Sequence, residues 1–562
     1  MTTQTTQFDA IVIGSGVTGG WAAKELTEKG LKVLMLDRGR MVEHIQDYVG
    51  EHKKPWEIPY RNKPLRDLYA DEYEVQSKQY AFDETTRHFY NNDKKNPYAN
   101  PDGFTWFRAG VVGGKSLLWG RQVYRWSDLD FEANKKDGHG VDWPIRYKDI
   151  EPWYSYVEKF VGVSGQAEGL PQLPDSVFQK PMNMNVVEKH VKGKIAEHFD
   201  DRMMTIGRVA VQTEPKNGRG ECHYCGPCHR GCSAGAYFST QSSTLPAARA
   251  TGNLTLVSDA VVEGIDYDPA TKRASGVRVI DANSLQKTRY TSKLVFVCAS
   301  TIGSTQILMN SKSEAFPNGL ANRSDSLGRY LMDHTYATGA MGFFMGFNDK
   351  IDFGNRPNGI YIPRFQNVNG QEKEYLRGYN YQGGAMRPGL TGQAMNTPGF
   401  GADFKHSLRT PGPWMMYLGG FGECLPNKDN RMVLLENKKD RYGIPQIQFD
   451  FKWGKNEDMI REDIMKEGEA ILKAAGAVGV RSFNSTGLAG EAIHEMGTAR
   501  MGRDPNTSVL NGWNQAHDVP NLFVTDGAAM ASASCVNPSL TFMALTARAV
   551  DYAVKQLQQG YI

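Results

Sequence analysis

The first forty residues constrain the fold most. Residues 8–14, Phe-Asp-Ala-Ile-Val-Ile-Gly, read as a short apolar strand. Gly14-Ser-Gly16-Val-Thr18-Gly19-Gly20 follows, then a helical stretch, WAAKELTEKG, stopped by Gly30, and a second apolar run, LKVLMLD, ending in Asp37. Strand, G-x-G-x-x-G, helix, strand and acid together predict a dinucleotide-binding unit. The glycines permit a tight turn and let backbone N–H groups approach a pyrophosphate at the helix N-terminus. Asp37, roughly 20 residues further on, is placed to accept from a ribose hydroxyl. An ordinary βαβ turn would not need three glycines, each of which carries an entropic cost. The N-terminal position suits FAD at least as well as NAD. The predicted fold class is α/β, with a Rossmann-like cofactor domain.

A second feature is Cys222-His-Tyr-Cys225-Gly-Pro-Cys228-His-Arg-Gly-Cys232. Four of the seven cysteines fall in this Gly/Pro-bent loop, and Cys298, Cys424 and Cys535 stand alone. The gaps match those of a ferredoxin run, although Ser233 stands where a proline often follows. Three readings compete: an iron–sulfur cluster, a structural zinc, or disulfides.

Composition excludes other classes. The chain of 562 residues is 40% hydrophobic and 23% charged, the profile of an ordinary globular protein. A net charge of +3, with dispersed basic residues, gives no electrostatic case for nucleic acid or an anionic membrane. No apolar run reaches the roughly 18 residues that span a bilayer. The N-terminus, MTTQTTQFDAIVIG, lacks a charged n-region, a twin arginine and a cleavage site.

Residues 41–100 are polar, aromatic and irregular, as in an inserted lid. FRAGVVGGKSLLWG is a second glycine-rich stretch, with Gly113, Gly114 and Ser116. LVFVCASTIGSTQILMNS is a buried strand turning through Ala299–Gly303 into a helix. SLGRYLMDH ends in Asp333 and His334, and a helix at about 456–475 carries Ile460, Ile464 and Ile471 on one face. The C-terminal region holds HEMGTARMG, from His494, and NLFVTDG, which delivers Asp526 and Gly527 at a strand's end. Asn537 and Pro538 then open a last helix. Taken singly, Asn537 could be only a helix cap and His494 only a buried histidine.

Together and in this order the motifs resemble the glucose–methanol–choline (GMC) oxidoreductase family. The resemblance runs from residue 8 to about 555. It implies an interleaved architecture: a FAD-binding domain over 1–46, 101–130, 216–335 and 486–562, with the cysteine loop at about 218–236; a lid over 47–100; and a substrate domain on an antiparallel sheet over 131–215 and 336–485. It implies His494 as the base that takes a hydroxyl proton, and Asn537 as its partner. Around the cofactor it implies Gly14, Gly16, Thr18, Gly19, Asp37, Arg38, Gly113, Gly114, Ser116, Val261, Ala299, Asp526, Gly527, Asn537, Pro538 and Ser539. Leu118 stands where some sugar-oxidising relatives carry a histidine bonded to flavin, so a noncovalent FAD is implied.

The cysteine run resembles that of bacterial sugar dehydrogenases of this family, which carry a [3Fe–4S] cluster. Their ligand spacing maps to Cys222, Cys228 and Cys232, with Cys225 a fourth ligand if the cluster is [4Fe–4S]. Within that group the chain looks most like the glucoside 3-dehydrogenases; glucose 1-, gluconate and sorbitol dehydrogenases are the alternatives. Such enzymes act with a small subunit bearing a twin-arginine export signal and a c-type cytochrome acceptor. The expected location is therefore the periplasm, with the cytoplasm as the alternative. An oxygen-using oxidase with a structural zinc, and a non-catalytic electron-transfer flavoprotein, are the competing classes.

Overall fold

The computed structural model describes residues 7–62, 66–352, 354–368, 370, 372–387, 397–409, 412–485 and 487–562. Residues 63–65 of the expected lid, and 353, 369, 371, 388–396 and 410–411 of the expected substrate domain, lie outside the described residues, as does 486.

The opening strand forms as predicted, at Gln7–Ile13. It is buried on both faces: Ile11 and Ile13 point into one core, and Ala10 and Val12 into another. That two-sided burial is why the run is continuously apolar. Parallel to it lie Val33–Leu36 on one side and Lys287–Val297 on the other. Leu254–Val257 extends the first side, and Leu522–Val524 pairs with the C-terminal half of Lys287–Val297. The strands Ala260–Asp268 and Arg273–Asp281 join antiparallel, completing seven strands. The helices Val17–Glu28 and Ser539–Gln558 pack together against this sheet.

Gly14 and Gly19 make the first crossover possible. Gly14 has φ +96°, and a Cβ on Gly19 would lie 1.9 Å from the Gly14 carbonyl oxygen. Any side chain at Gly19 would push the helix off the strand it must touch.

The second sheet has six antiparallel strands, in the order Val478–Asn484, Thr335–Phe344, Trp414–Gly422, Tyr379–Met386, Ile360–Ile362 and Thr205–Ile206. The helix Lys455–Ala474 lies across it, with Ile460, Ile464 and Ile471 buried as their spacing predicts. Gly420 and Gly422 supply the seat: Cβ atoms there would come within 2.6 Å of Ile464 and 2.5 Å of Ile460. This sheet has its own core. The hairpin Arg431–Lys439/Pro445–Asp450 instead sends Met432, Ile447 and Phe449 into the core beside the first sheet. Among the described residues no helix is long and apolar enough to cross a membrane.

Candidate active site

A cavity of about 650 Å³ opens at the C-terminal ends of the parallel strands and extends to the antiparallel sheet. Carboxyl ends of parallel strands are where open α/β sheets bind ligands. Gly14, Gly16 and Thr18 line it from the first crossover, and Asp37 and Arg38 from the end of the second strand. Gly114 and Ser116 come from the second glycine stretch, Val261 from the antiparallel excursion and Ala299 from the strand–helix turn. Asp526, Gly527, Asn537 and Ser539 close it from the C-terminal segment. Three expected cofactor residues do not line it. Gly19 lies under the turn, Gly113 packs on the Gln241 amide, and Pro538 caps the last helix.

The glycines leave room for a dinucleotide. A Cβ on Gly16 would meet nothing within 4 Å, and one on Gly114 would meet only the Gly16 Cα, at 3.7 Å. Two backbone segments thus face one open space without side chains, a cradle for a pyrophosphate at a helix N-terminus. Asp37 does more than face the cavity. Its carboxylate accepts from the Ser15 N–H at 3.0 Å, the Ser15 hydroxyl and the Gly39 N–H at 2.8 Å. Ser15 Oγ in turn accepts from the Gly113 N–H at 2.7 Å. This chain locks the two glycine loops together. Ser15 sits at a position the fingerprint leaves open, so it was missed.

The same economy holds at the far end. Ser304 donates to Asp526, whose other oxygen accepts from the Ala528 N–H at 3.0 Å. Thr301 donates to the Glu495 carbonyl at 2.5 Å, and Lys115 pairs with the Glu495 carboxylate at 2.9 Å.

His494 and Asn537 meet in the cavity wall, with Asn537 Nδ2 3.3 Å from His494 Nε2. Gln382 donates to Asn537 Oδ1 at 2.5 Å, which fixes which way the amide points. Behind His494, its Nδ1 lies 2.9 Å from His334 Nδ1. Burial, His334 and the Lys115 ammonium hold the His494 imidazole well below its ordinary range, so it is neutral near pH 7. Asp333 braces the preceding loop by accepting the N–H groups of Gly490, Ala492 and His494.

The cysteine run is a loop whose only regular piece is the turn Cys228–Arg230. Cys222, Cys228 and Cys232 are half-buried, Cys225 is exposed, and all seven thiols are free. Burial first, and the neighbouring cysteines in part, push the Cys222 thiol up to about 11. Among the described residues no three His, Cys, Asp or Glu side chains stand close enough to hold a metal ion. Three half-buried thiols and one exposed thiol share this loop, and thiolates are the donor type that iron–sulfur clusters and zinc both use.

Sequence reasoning gave residues 41–100 no chemistry, yet they clamp this loop. Tyr48 packs on Gly231, where a Cβ would fall 2.1 Å from the ring. Glu51 accepts from the Ser233 N–H at 2.7 Å and from its hydroxyl at 3.1 Å. The Tyr80 ring meets His229 edge-on at 5.2 Å. From the other side the Asn355 N–H donates to the Tyr224 carbonyl at 2.7 Å. The turn aims His229 into the cavity, so the residue next to Cys228 lines the same space as His494.

Known proteins resemble the chain along most of its length. Residues 8–336 match the N-terminal GMC oxidoreductase domain and residues 426–546 the C-terminal one. The chain is 29% identical to 2-methyl-1,2-propanediol dehydrogenase of Mycolicibacterium austroafricanum, over 98% of this chain and 96% of that protein. It is 27% identical to the fructose dehydrogenase large subunit of Gluconobacter japonicus, over the whole of both. Pyridoxine 4-oxidase from Mesorbium loti shares the fold, with a TM-score of 0.61 at 13% identity over 97% of this chain and 99% of that one. With both domains matched over most of its length, the chain belongs to the GMC oxidoreductase family.

Proposed function

We propose that this protein is an FAD-dependent sugar dehydrogenase that oxidises the 3-hydroxyl of glucose or a glucoside to a ketone. FAD, held here, would supply the acceptor for the hydride of the alcohol carbon. The chain's own residues do the rest. The two glycine loops and Asp37 hold the dinucleotide, with Thr18, Arg38, Val261, Ala299, Asp526, Gly527 and Ser539 along it. His494 Nε2 accepts the hydroxyl proton, and Asn537 Nδ2 donates to the same oxygen. A positioned proton transfer of this kind contributes about 10²–10⁴-fold.

One observation carries the dehydrogenase reading: the turn Cys228–Arg230 puts His229 in the wall of the cavity that His494 and Asn537 face. We assign Cys222, Cys228 and Cys232 as ligands of a [3Fe–4S] cluster, which would pass electrons singly to an external acceptor. The acceptor in this proposal is a c-type cytochrome. A small subunit with a twin-arginine signal would accompany the chain to the periplasm. The likeness to a protein named as a large subunit supports a partnered enzyme.

The same likeness favours a second substrate reading, free fructose. Anaerobic turnover of methyl glucoside, glucose, gluconate, sorbitol and fructose with an artificial acceptor, followed by NMR of the product, decides between them. A 3-keto glucoside is expected. Turnover of fructose without turnover of methyl glucoside would replace the first reading with the second. Iron and acid-labile sulfide in the purified protein test the cluster separately.

A further inference from the structure

We infer that His334 is a positioning residue that fixes His494 in the tautomer with a bare Nε2 facing the cavity. The inference rests on the reading of His494 as the proton acceptor. It begins in the backbone. Met332 and Met496 form an antiparallel bridge, each N–H donating to the other's carbonyl at 2.9 Å. Two residues further along one segment and two back along the other, His334 falls opposite His494 on the same face.

Their Nδ1 atoms are 2.9 Å apart, so one nitrogen carries a proton and the other a lone pair. The third contact decides which. His334 Nε2 lies 3.3 Å from the Ala533 carbonyl oxygen, which can only accept. His334 Nε2 therefore carries the hydrogen. With the opposite tautomer two lone pairs would face each other in a fully buried site. A neutral His334 then has its lone pair on Nδ1, and His494 Nδ1–H donates to it. His494 is left with no proton on Nε2, the atom that faces Asn537 and the cavity. The tautomer of one imidazole is set by the hydrogen bond made by its other nitrogen. Here that rule runs through two rings and ends on a backbone carbonyl.

The surrounding charges agree. Burial holds the His334 imidazole down to about 4, so it stays neutral. The groups that face the pair are Lys115, which is paired with Glu495, and Asp333, which is engaged by three backbone N–H groups.

The test compares His334→Phe, His334→Gln and His494→Ala in FAD-loaded enzyme. The rate of flavin bleaching by sugar, without acceptor, is followed at saturating substrate, together with FAD content and melting temperature. Phe keeps the ring's bulk and loses the acceptor. Gln loses the ring but keeps an oxygen to accept from His494 and an amide to donate to Ala533. The expected order is Gln above Phe, with Gln within about tenfold of the parent and Phe down by on the order of 10²-fold or more. The loss should fall on the limiting rate and not on the sugar concentration for half-saturation. Phe equal to or above Gln would mean that His334 only fills space, and would overturn the inference. If the Phe variant does not hold FAD, the Gln variant alone decides: a fall greater than tenfold overturns the inference. A normal rate in His494→Ala would instead remove the base from the proposed reaction, a separate failure.

Discussion

At the scale of single residues, the site is built from pairs that the chain order hides. His334 and His494 are 160 positions apart, and Gln382 and Asn537 are 155 apart. His494 and Asn537 were readable because their local motifs are dense. Their supporting partners were not, because nothing in a residue's neighbourhood encodes what a distant strand will bring beside it. The neutral imidazole carries a pH prediction. Protonated histidine cannot accept a proton, and His494 is held well below its ordinary range. The accepting form should therefore persist as pH falls through 6.5, the ordinary histidine value. His494 itself should contribute no acid limb to the rate of flavin reduction by sugar between about pH 6 and 8. The neighbour that titrates in that window is Asp333, which accepts the His494 N–H and which burial and Glu495 push up to about 7. A sigmoidal loss centred near 6.5 in stopped-flow measurements that persists in Asp333→Asn would show that His494 is more exposed in the working enzyme.

At the scale of elements, local sterics made the first crossover and the long helix legible. A Gly19 pressed on a carbonyl, or Ile460 and Ile464 seated in glycine notches, leave a regular spacing in the sequence. The insert over 41–100 left no such trace. It has little regular structure, and its work is contact with another loop. That contact can be broken without touching the nucleotide cradle. Gly231 has φ +113° and lies against Tyr48. Gly231→Ala should unseat the ring and strain the turn, a change in the range of about 1–3 kcal/mol for an overpacked contact. If the loop holds the proposed cluster, this variant should lose iron and sulfide relative to the parent while keeping FAD, as measured by metal and flavin analysis on the same preparation. Full iron content would show that the clamp does not hold the cysteine loop.

At the scale of the whole molecule, two sheets with separate cores share one cavity. The nucleotide half of that cavity was legible from the first forty residues. Its other wall was not, since it is assembled from strand Tyr379–Met386, the cysteine turn and the insert. A ligand that binds only the folded state stabilises it, by about 2.7 kcal/mol at one hundred times its dissociation constant. Stripping FAD should therefore lower the melting temperature, and added FAD should restore it in a concentration-dependent way in calorimetry. A melting temperature indifferent to FAD would mean that the cavity is not the nucleotide's seat.

The place of His229 has a consequence for how such an enzyme can diversify. One side chain borders the chamber where substrate must fit and is covalently next to Cys228. Selection for a roomier chamber at this wall would move the loop that carries the thiols. If those thiols hold the proposed cluster, substrate breadth and acceptor choice would be inherited together, as one trait, and a laboratory lineage evolved for a bulkier glycoside should drift in its electron partner as well.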